Sequence, residues 1–243
     1  MLKKKTIKGR EKPLWPMRLN KYLAHKNYAT RRAADALIER GSVRINGRAA
    51  ALGDKVSETD TVEVIGFVSP EYVYFAYNKP AGVLSMGHEP GVKNIAETAK
   101  FPVPVFPLGR LDKDSEGLLI MTNDGRMTDK LLNPDKDHEK EYIVTVDREI
   151  THEFLMKMSQ KIDIGIGKTK ASKVRRTSNN TFEIILSEGK NRQIRRMCGA
   201  LGYGVKKLRR FRIMNILLGK LKANQWRKIE GKELSVLKKS LGM

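Results

Sequence analysis

The stretch GRLDKDSEGLLIMTNDG, residues 109–125, organises the reading of this chain. It holds the acids Asp112, Asp114, Glu116 and Asp124, although the 243-residue chain has a formal net charge of +21. The apolar run LLIMT lies between polar turn formers, so it is expected to be a strand and not a helix. Asp114, Ser115, Glu116 and Gly117 are expected in one turn, and Asn123-Asp124-Gly125 in another. Counted from Asp112, oxygen side chains fall at positions 1, 3 and 5 with glycine at 6, the spacing of a calcium loop. Position 12, however, is Asn123 and not a bidentate Glu, and no helix follows, so no metal site is expected. Asp112 stands apart from the other three acids. With residues 110–112 extended, Arg110 and Asp112 share a face, and a guanidinium beside a carboxylate favours its ionised form. An ionised Asp in positive surroundings suits attack on, or proton removal from, an anionic substrate.

Those surroundings extend along the whole chain, which has 48 Lys and Arg against 27 Asp and Glu. Such a field concentrates polyanions, and nucleic acid is the expected partner. A membrane is not expected, because no run of eighteen apolar residues occurs. The start, MLKKKTIKGREKPLWP, has no apolar segment of a secretory signal behind its basic residues. The single cysteine, Cys198, is read as a core filler, and its having no disulfide partner fits a reducing cytoplasm. The 40% hydrophobic content is enough for a folded core.

Four segments are expected: a flexible basic arm over 1–16, a small unit over 17–65, a linker over 66–71, and a larger unit over 72–243. In the small unit, Leu19, Tyr22 and Leu23 mark one short amphipathic helix. Thr30 is expected to cap a second, with Ala33, Ala34, Leu37 and Ile38 buried and Gly41 as its stop. Val43 and Ile45 before Asn46-Gly47, and Val62 and Val64 further on, indicate short strands joined by tight turns. Arg18, Lys21, Arg31, Arg32, Arg44 and Arg48 fall on the polar sides of these elements. The larger unit reads as strands at YVYFAYNK, LLIMT, EYIVTVD, on either side of Asn179-Asn180, and at KKLRRFRIMNILLG. Helices are expected at EITHEFLMKMSQKI, NRQIRRMCGALG and GKELSVLKKSLG. The fold class is therefore α+β, with a mixed, largely antiparallel sheet flanked by helices and loops. Residues 189–239 hold sixteen Lys or Arg and only two acids. Within them KKLRRFRI, with Lys207 and Arg209, is a candidate phosphate track.

The segment RLNKYLAHKNYATRRAADALIERGSVRINGRAA resembles the S4 RNA-binding module. NKPAGVLS, the GRLD motif, DHEKEYIVTVD and GKNRQIRRMCGALGYGVKKLRRFRIMN resemble, in this order, the RsuA-type RNA pseudouridine synthases. Their similarity is closest to the RluF branch, whose members modify large-subunit ribosomal RNA. The resemblance implies an isomerase that needs no cofactor and no metal, with Asp112 as the essential carboxylate. It implies that Tyr142 stacks on the target base, that Ile194 packs on the uracil's other face, and that Arg110 braces the extruded strand. It also implies that Arg195 pairs with Asp112, although Arg192, one helical turn earlier, is an open alternative and a further RNA contact. Arg31 and Arg32 become the leading RNA contacts of the S4 module. The expected partner is 23S ribosomal RNA, with transfer RNA or 16S RNA as alternatives and a cytoplasmic monomer as the acting form. Two rivals remain open: a non-catalytic S4-type RNA-binding or ribosome-assembly protein, and a metal-dependent RNA-processing enzyme.

Overall fold

The computed structural model of the chain describes residues 15–26, 28–67, 71–133 and 136–243. The basic arm expected over 1–16 lies outside the described residues except for Trp15 and Pro16. The linker expected over 66–71 lies partly outside them. The chain divides into two compact units, with the division between Glu71 and Tyr72.

The first unit runs β1 (Met17–Arg18), α1 (Leu19–His25), α2 (Arg31–Glu39), β2 (Val43–Ile45), β3 (Arg48–Ala49), β4 (Lys55–Val56) and β5 (Val62–Val64). Thr30 Oγ1 accepts the Ala33 amide at 3.2 Å and so begins α2, while Gly41, at φ +70°, ends it. Ala34 and Ile38 are buried and Leu37 half-buried, but Ala33 is exposed, which narrows the expected stripe. Ala33 lies about 100° around the helix from Ala34, beyond the edge of the core-facing side. Asn46 and Gly47 both take positive φ, the geometry of the tight turn that joins β2 to β3. Leu19, Leu23, Ile38, Val43, Ile45 and Val56 form the centre of its small apolar core.

The second unit runs β6 (Tyr74–Lys79), α3 (Ile95–Thr98), β7 (Phe106–Leu108), β8 (Glu116–Thr122), α4 (Arg126–Leu132), β9 (Lys140–Val146) and α5 (His152–Met158). It continues with β10 (Lys173–Ser178), β11 (Thr181–Leu186), α6 (Gln193–Ala200), β12 (Val205–Ile213), β13 (Ile216–Leu217), β14 (Trp226–Lys228) and α7 (Gly231–Ser240). Its nine-stranded sheet has the order β10-β11-β9-β12-β8-β6-β14, with β13 beside β12 and β7 beside β8. All pairings are antiparallel except β12 with β8. The fold is thus α+β with a mixed sheet. Alternate residues feed two cores, one around Phe75, Leu119, Val144, Ile184 and Met197, the other around Ala76, Ile120, Met127, Ile213 and Leu237.

One register row crosses the first of these faces. Lys79 pairs with Gly117, Gly117 with Arg210, Arg210 with Tyr142, and Tyr142 with Ile184. Gly117 sits at φ +110°, and a Cβ there would lie 2.2 Å from the Arg210 carbonyl oxygen, so only glycine permits this approach of β8 to β12.

Two expectations for the acidic stretch change. Glu116 is the first residue of β8 and not a turn residue. Asp124 is completely buried, accepts the Tyr74 hydroxyl at 2.6 Å and is gripped by Arg126 at 2.6 and 2.7 Å. Burial alone would raise its carboxyl; the Arg126 and Tyr74 bonds outweigh it and hold the group below the usual range. The residues after this turn form α4, which the sequence reading did not anticipate.

Candidate active site

Asp112 lies in the loop between β7 and β8, and three side chains fasten that loop. Ser85 Oγ donates to the Leu111 carbonyl at 2.7 Å and accepts the Leu111 amide at 3.0 Å. Lys79 Nζ donates to the carbonyls of Pro80 at 2.8 Å, Lys113 at 3.3 Å and Ser115 at 2.8 Å. Arg195 Nη2 donates to the Asp114 carbonyl at 3.1 Å and to Ser115 Oγ at 3.4 Å, while its Nη1 reaches the Val205 carbonyl at 3.2 Å. The residues on both sides of Asp112 are therefore fixed, and its side chain is left 29% exposed. Among the described residues no hydrogen-bond donor occupies that carboxylate.

Arg192 and Lys79 both interact electrostatically with the acid. Arg192 Nη1 stands 3.9 Å from Asp112 Oδ2. Lys79 is fully buried, and burial lowers its ammonium to about 8 even though Asp112, Asp114 and Glu116 act to raise it. A carboxylate left free of hydrogen-bond donors is open to a substrate atom.

Arg192 stands at ion-pair distance from Asp112, and Arg195 donates to the Asp114 carbonyl and to Ser115 Oγ. Arg192 is the N-cap residue of α6, in the left-handed region at φ 50° and ψ 34°, and this backbone turn directs the chain into the helix beside the acid. Arg110 is exposed, and residues 110–112 are not in a strand, so the expected sharing of a face with Asp112 does not arise from a pleat. Tyr142 is 8% exposed within the core, with the Arg210 guanidinium 6.0 Å from its ring centre. Ile194 is likewise buried in that core.

The phosphate track is shorter than its sequence suggested. Lys206 and Lys207 are exposed and Arg209 is half-buried, but Arg210 is buried and donates to the Leu118 carbonyl, and Arg212 is held by Glu139 and Glu141. β12 is a central strand, so from Leu208 onward its alternation faces two cores, and only Lys206 and Lys207 near its start stay exposed.

On the first unit, Arg18, Lys21, Arg31 and Lys55 line an open cleft of about 380 Å³ together with Met17 and Asn20. Arg32 and Arg44 are exposed elsewhere, and Arg48 is engaged by Asp54 at 3.0 Å. Among the described residues no group of three His, Cys, Asp or Glu is placed to hold a metal, and no helix is long and apolar enough to cross a membrane. Sequence reasoning passed over Lys79 and Ser85. The available signal was a lysine and a serine flanking a Pro-Ala-Gly turn, which becomes informative only once both are known to be buried.

Residues 17–62 match the S4 domain, and residues 73–200 match the RNA pseudouridylate synthase family. The chain is 44% identical over 223 residues to the dual-specificity RNA pseudouridine synthase RluF of Escherichia coli K12, covering 90% of this chain and 77% of that protein. It is 38% identical over 204 residues to ribosomal large subunit pseudouridine synthase B of Bacillus subtilis, covering 79% and 84%. A crystal structure of a pseudouridylate synthase superposes with a TM-score of 0.68 at 26% identity, covering 92% of this chain and 99% of that one. The chain belongs to the RNA pseudouridine synthases, isomerases of RNA, in the type that carries an S4 domain ahead of the synthase domain.

Proposed function

We propose that this synthase isomerises a uridine of 23S ribosomal RNA, with Asp112 as the essential carboxylate. The observation that carries the assignment is the Asp112 side chain itself, partly exposed and free of hydrogen-bond donors, 3.9 Å from Arg192 on a loop fastened on both sides. In the reaction the bond from ribose C1′ to uracil N1 breaks, the base turns, and C1′ bonds to C5. The C5 proton leaves and N1 gains one, so the product is an isomer. Asp112 either attacks C1′ or takes a ribose proton, and both routes require it ionised. Arg192 supports that charge. Tyr142 and Ile194 pack against the turned base, and Arg110 meets the strand on either side of it.

Arg18, Lys21 and Arg31 hold RNA phosphates in the first unit, with Arg32, Arg44 and Arg48 around them, and Lys207 and Arg209 extend this contact in the second unit. The residue boundaries 17–65 and 72–243 delimit these two roles. The similar B. subtilis protein is named for the large ribosomal subunit, which supports that target; the name dual-specificity of the E. coli relative supports a second RNA substrate, and we propose transfer RNA for it. The protein acts as a cytoplasmic monomer.

The test is tritium release from RNA labelled at uracil C5, with EDTA present. Release from 23S RNA is expected; release from 16S RNA alone, or from none of the three RNA classes, would refute the assignment.

A further inference from the structure

Arg192 stands 3.9 Å from Asp112, yet among the described residues its guanidinium makes no hydrogen bond that would hold it there. Its direction is set by its backbone, in the left-handed region at φ 50° and ψ 34°. A residue other than glycine stays in that region only where the surrounding structure compels it. Here the turn 190–193 is tied across its ends twice. The Gln193 amide donates to the Lys190 carbonyl at 3.2 Å, and the Lys190 amide donates to Gln193 Oε1 at 2.9 Å. From within α6, Arg196 holds the middle of the turn, its amide donating to the Arg192 carbonyl at 2.9 Å and its Nε to the Asn191 carbonyl at 3.2 Å.

The Gln193 side chain can accept the Lys190 amide only while its oxygen, and not its nitrogen, faces that way. A buried acid fixes this choice. Glu188, 7% exposed, accepts Gln193 Nε2 on its Oε1 at 2.8 Å. The same oxygen accepts the Lys170 amide at 2.8 Å, and Oε2 accepts Lys190 Nζ at 3.1 Å. Lys190 Nζ is itself anchored on the Lys168 carbonyl. A buried carboxylate is costly unless it is paired and hydrogen-bonded, and this one is both. A chain of bonds therefore runs from Glu188 through Gln193 to the turn that carries Arg192.

We infer that Glu188 is a positioning residue for the isomerisation: through Gln193 it holds the turn 190–193 in the conformation that presents Arg192 to Asp112. This rests on the reading that Asp112 is the essential carboxylate and that Arg192 supports its charge. Glu188 is buried and meets neither the RNA nor the reacting atoms. Its contribution falls on kcat, and it exists only while residue 192 carries a guanidinium.

The experiment compares wild type, Glu188→Ala, Glu188→Gln, Arg192→Gly and the combination of Glu188→Ala with Arg192→Gly. The substrate is total RNA tritiated at uracil C5 from cells that lack this synthase, so the outcome does not depend on which RNA is the target. Melting curves set an assay temperature at which every variant is folded. Glu188→Ala should lower kcat about tenfold with KM within about twofold of wild type. Glu188→Gln keeps an oxygen for the Gln193 and Lys170 donors and should recover most of that loss. In the Arg192→Gly background, Glu188→Ala should lower kcat by less than about twofold further, because residues that act through one interaction are not additive. An unchanged kcat in Glu188→Ala, a Glu188→Gln no better than Glu188→Ala, or the same fold-loss with and without Arg192 would each overturn the positioning role alone. Wild-type kcat in Arg192→Gly would overturn the underlying reading and the positioning role together.

Discussion

Arg192 approaches Asp112 to 3.9 Å from a left-handed backbone, at φ 50° and ψ 34°. A non-glycine residue pays about 1 kcal/mol or more to stay there, and the position it secures is the one beside the acid.

Arg192→Gly therefore separates function from stability. Glycine accepts the backbone freely but removes the guanidinium, so stability should stay within about 0.5 kcal/mol of wild type or rise, after the entropy of glycine is counted. Activity should fall about ten- to a hundredfold, as when an electrostatic partner is lost from an active site. Thermal melting and tritium release on the same sample decide it; wild-type turnover would remove Arg192 from the site.

Asp112→Asn keeps the size of the side chain and removes its charge. Turnover should drop by about a thousandfold or more, while RNA affinity measured by filter binding stays within about twofold, because phosphate contacts dominate it. A variant that retains turnover would reassign the essential carboxylate.

Lys79 predicts opposite responses of fold and activity to alkali. Burial holds its ammonium at about 8 in the folded protein, against the ordinary 10.5. Between these values the unfolded chain binds more protons, so this group's contribution to stability rises with pH over that window and is constant below it. Activity should instead decline above about pH 8, as the ammonium that holds the carbonyls of Lys113 and Ser115 loses its charge. A pH–rate profile beside melting curves at each pH tests the pair. Lys79→Met should unfold more readily by roughly 2 to 4 kcal/mol, since buried carbonyls are left without a donor.

Replacing Arg18, Lys21 and Arg31 together by Ala should weaken RNA capture and lower the slope of log affinity against log salt by about 2 to 3, one counterion-release step per lost contact. Lys157→Ala is the control, because that exposed side chain is paired with Glu153 on α5 and lies in no proposed RNA contact. An unchanged salt slope in the triple variant would move the RNA contact away from the cleft.

Cys198 should resist alkylation in the native protein and react after unfolding. Its thiol is fully buried and pushed up to about 12, chiefly by burial. Stoichiometric labelling with iodoacetamide in buffer at neutral pH would show that the second unit opens locally at α6.

Local pattern carried much of this protein. The caps and stops at Thr30 and Gly41, the Asn46-Gly47 turn, the strand at LLIMT and the polycationic balance follow from short-range rules: side-chain capping, positive φ, alternation and charge. Asp112 could be singled out because it lay within a motif whose neighbours had simpler explanations as turn formers.

The tertiary structure decided which charges are available and to what. Asp124 became a buried partner of Arg126, and Arg210 and Arg212 became internal because β12 lies between β9 and β8 and not at the sheet's edge. The pairing of Asp112 with Arg192, and the support of its loop by Lys79, Ser85 and Arg195, join residues far apart in the chain. Alternation along one strand shows which residues share a face. It does not show what stands across the sheet, because that depends on the order in which strands pair. This order brings Lys79, Gly117, Arg210 and Tyr142 into one row.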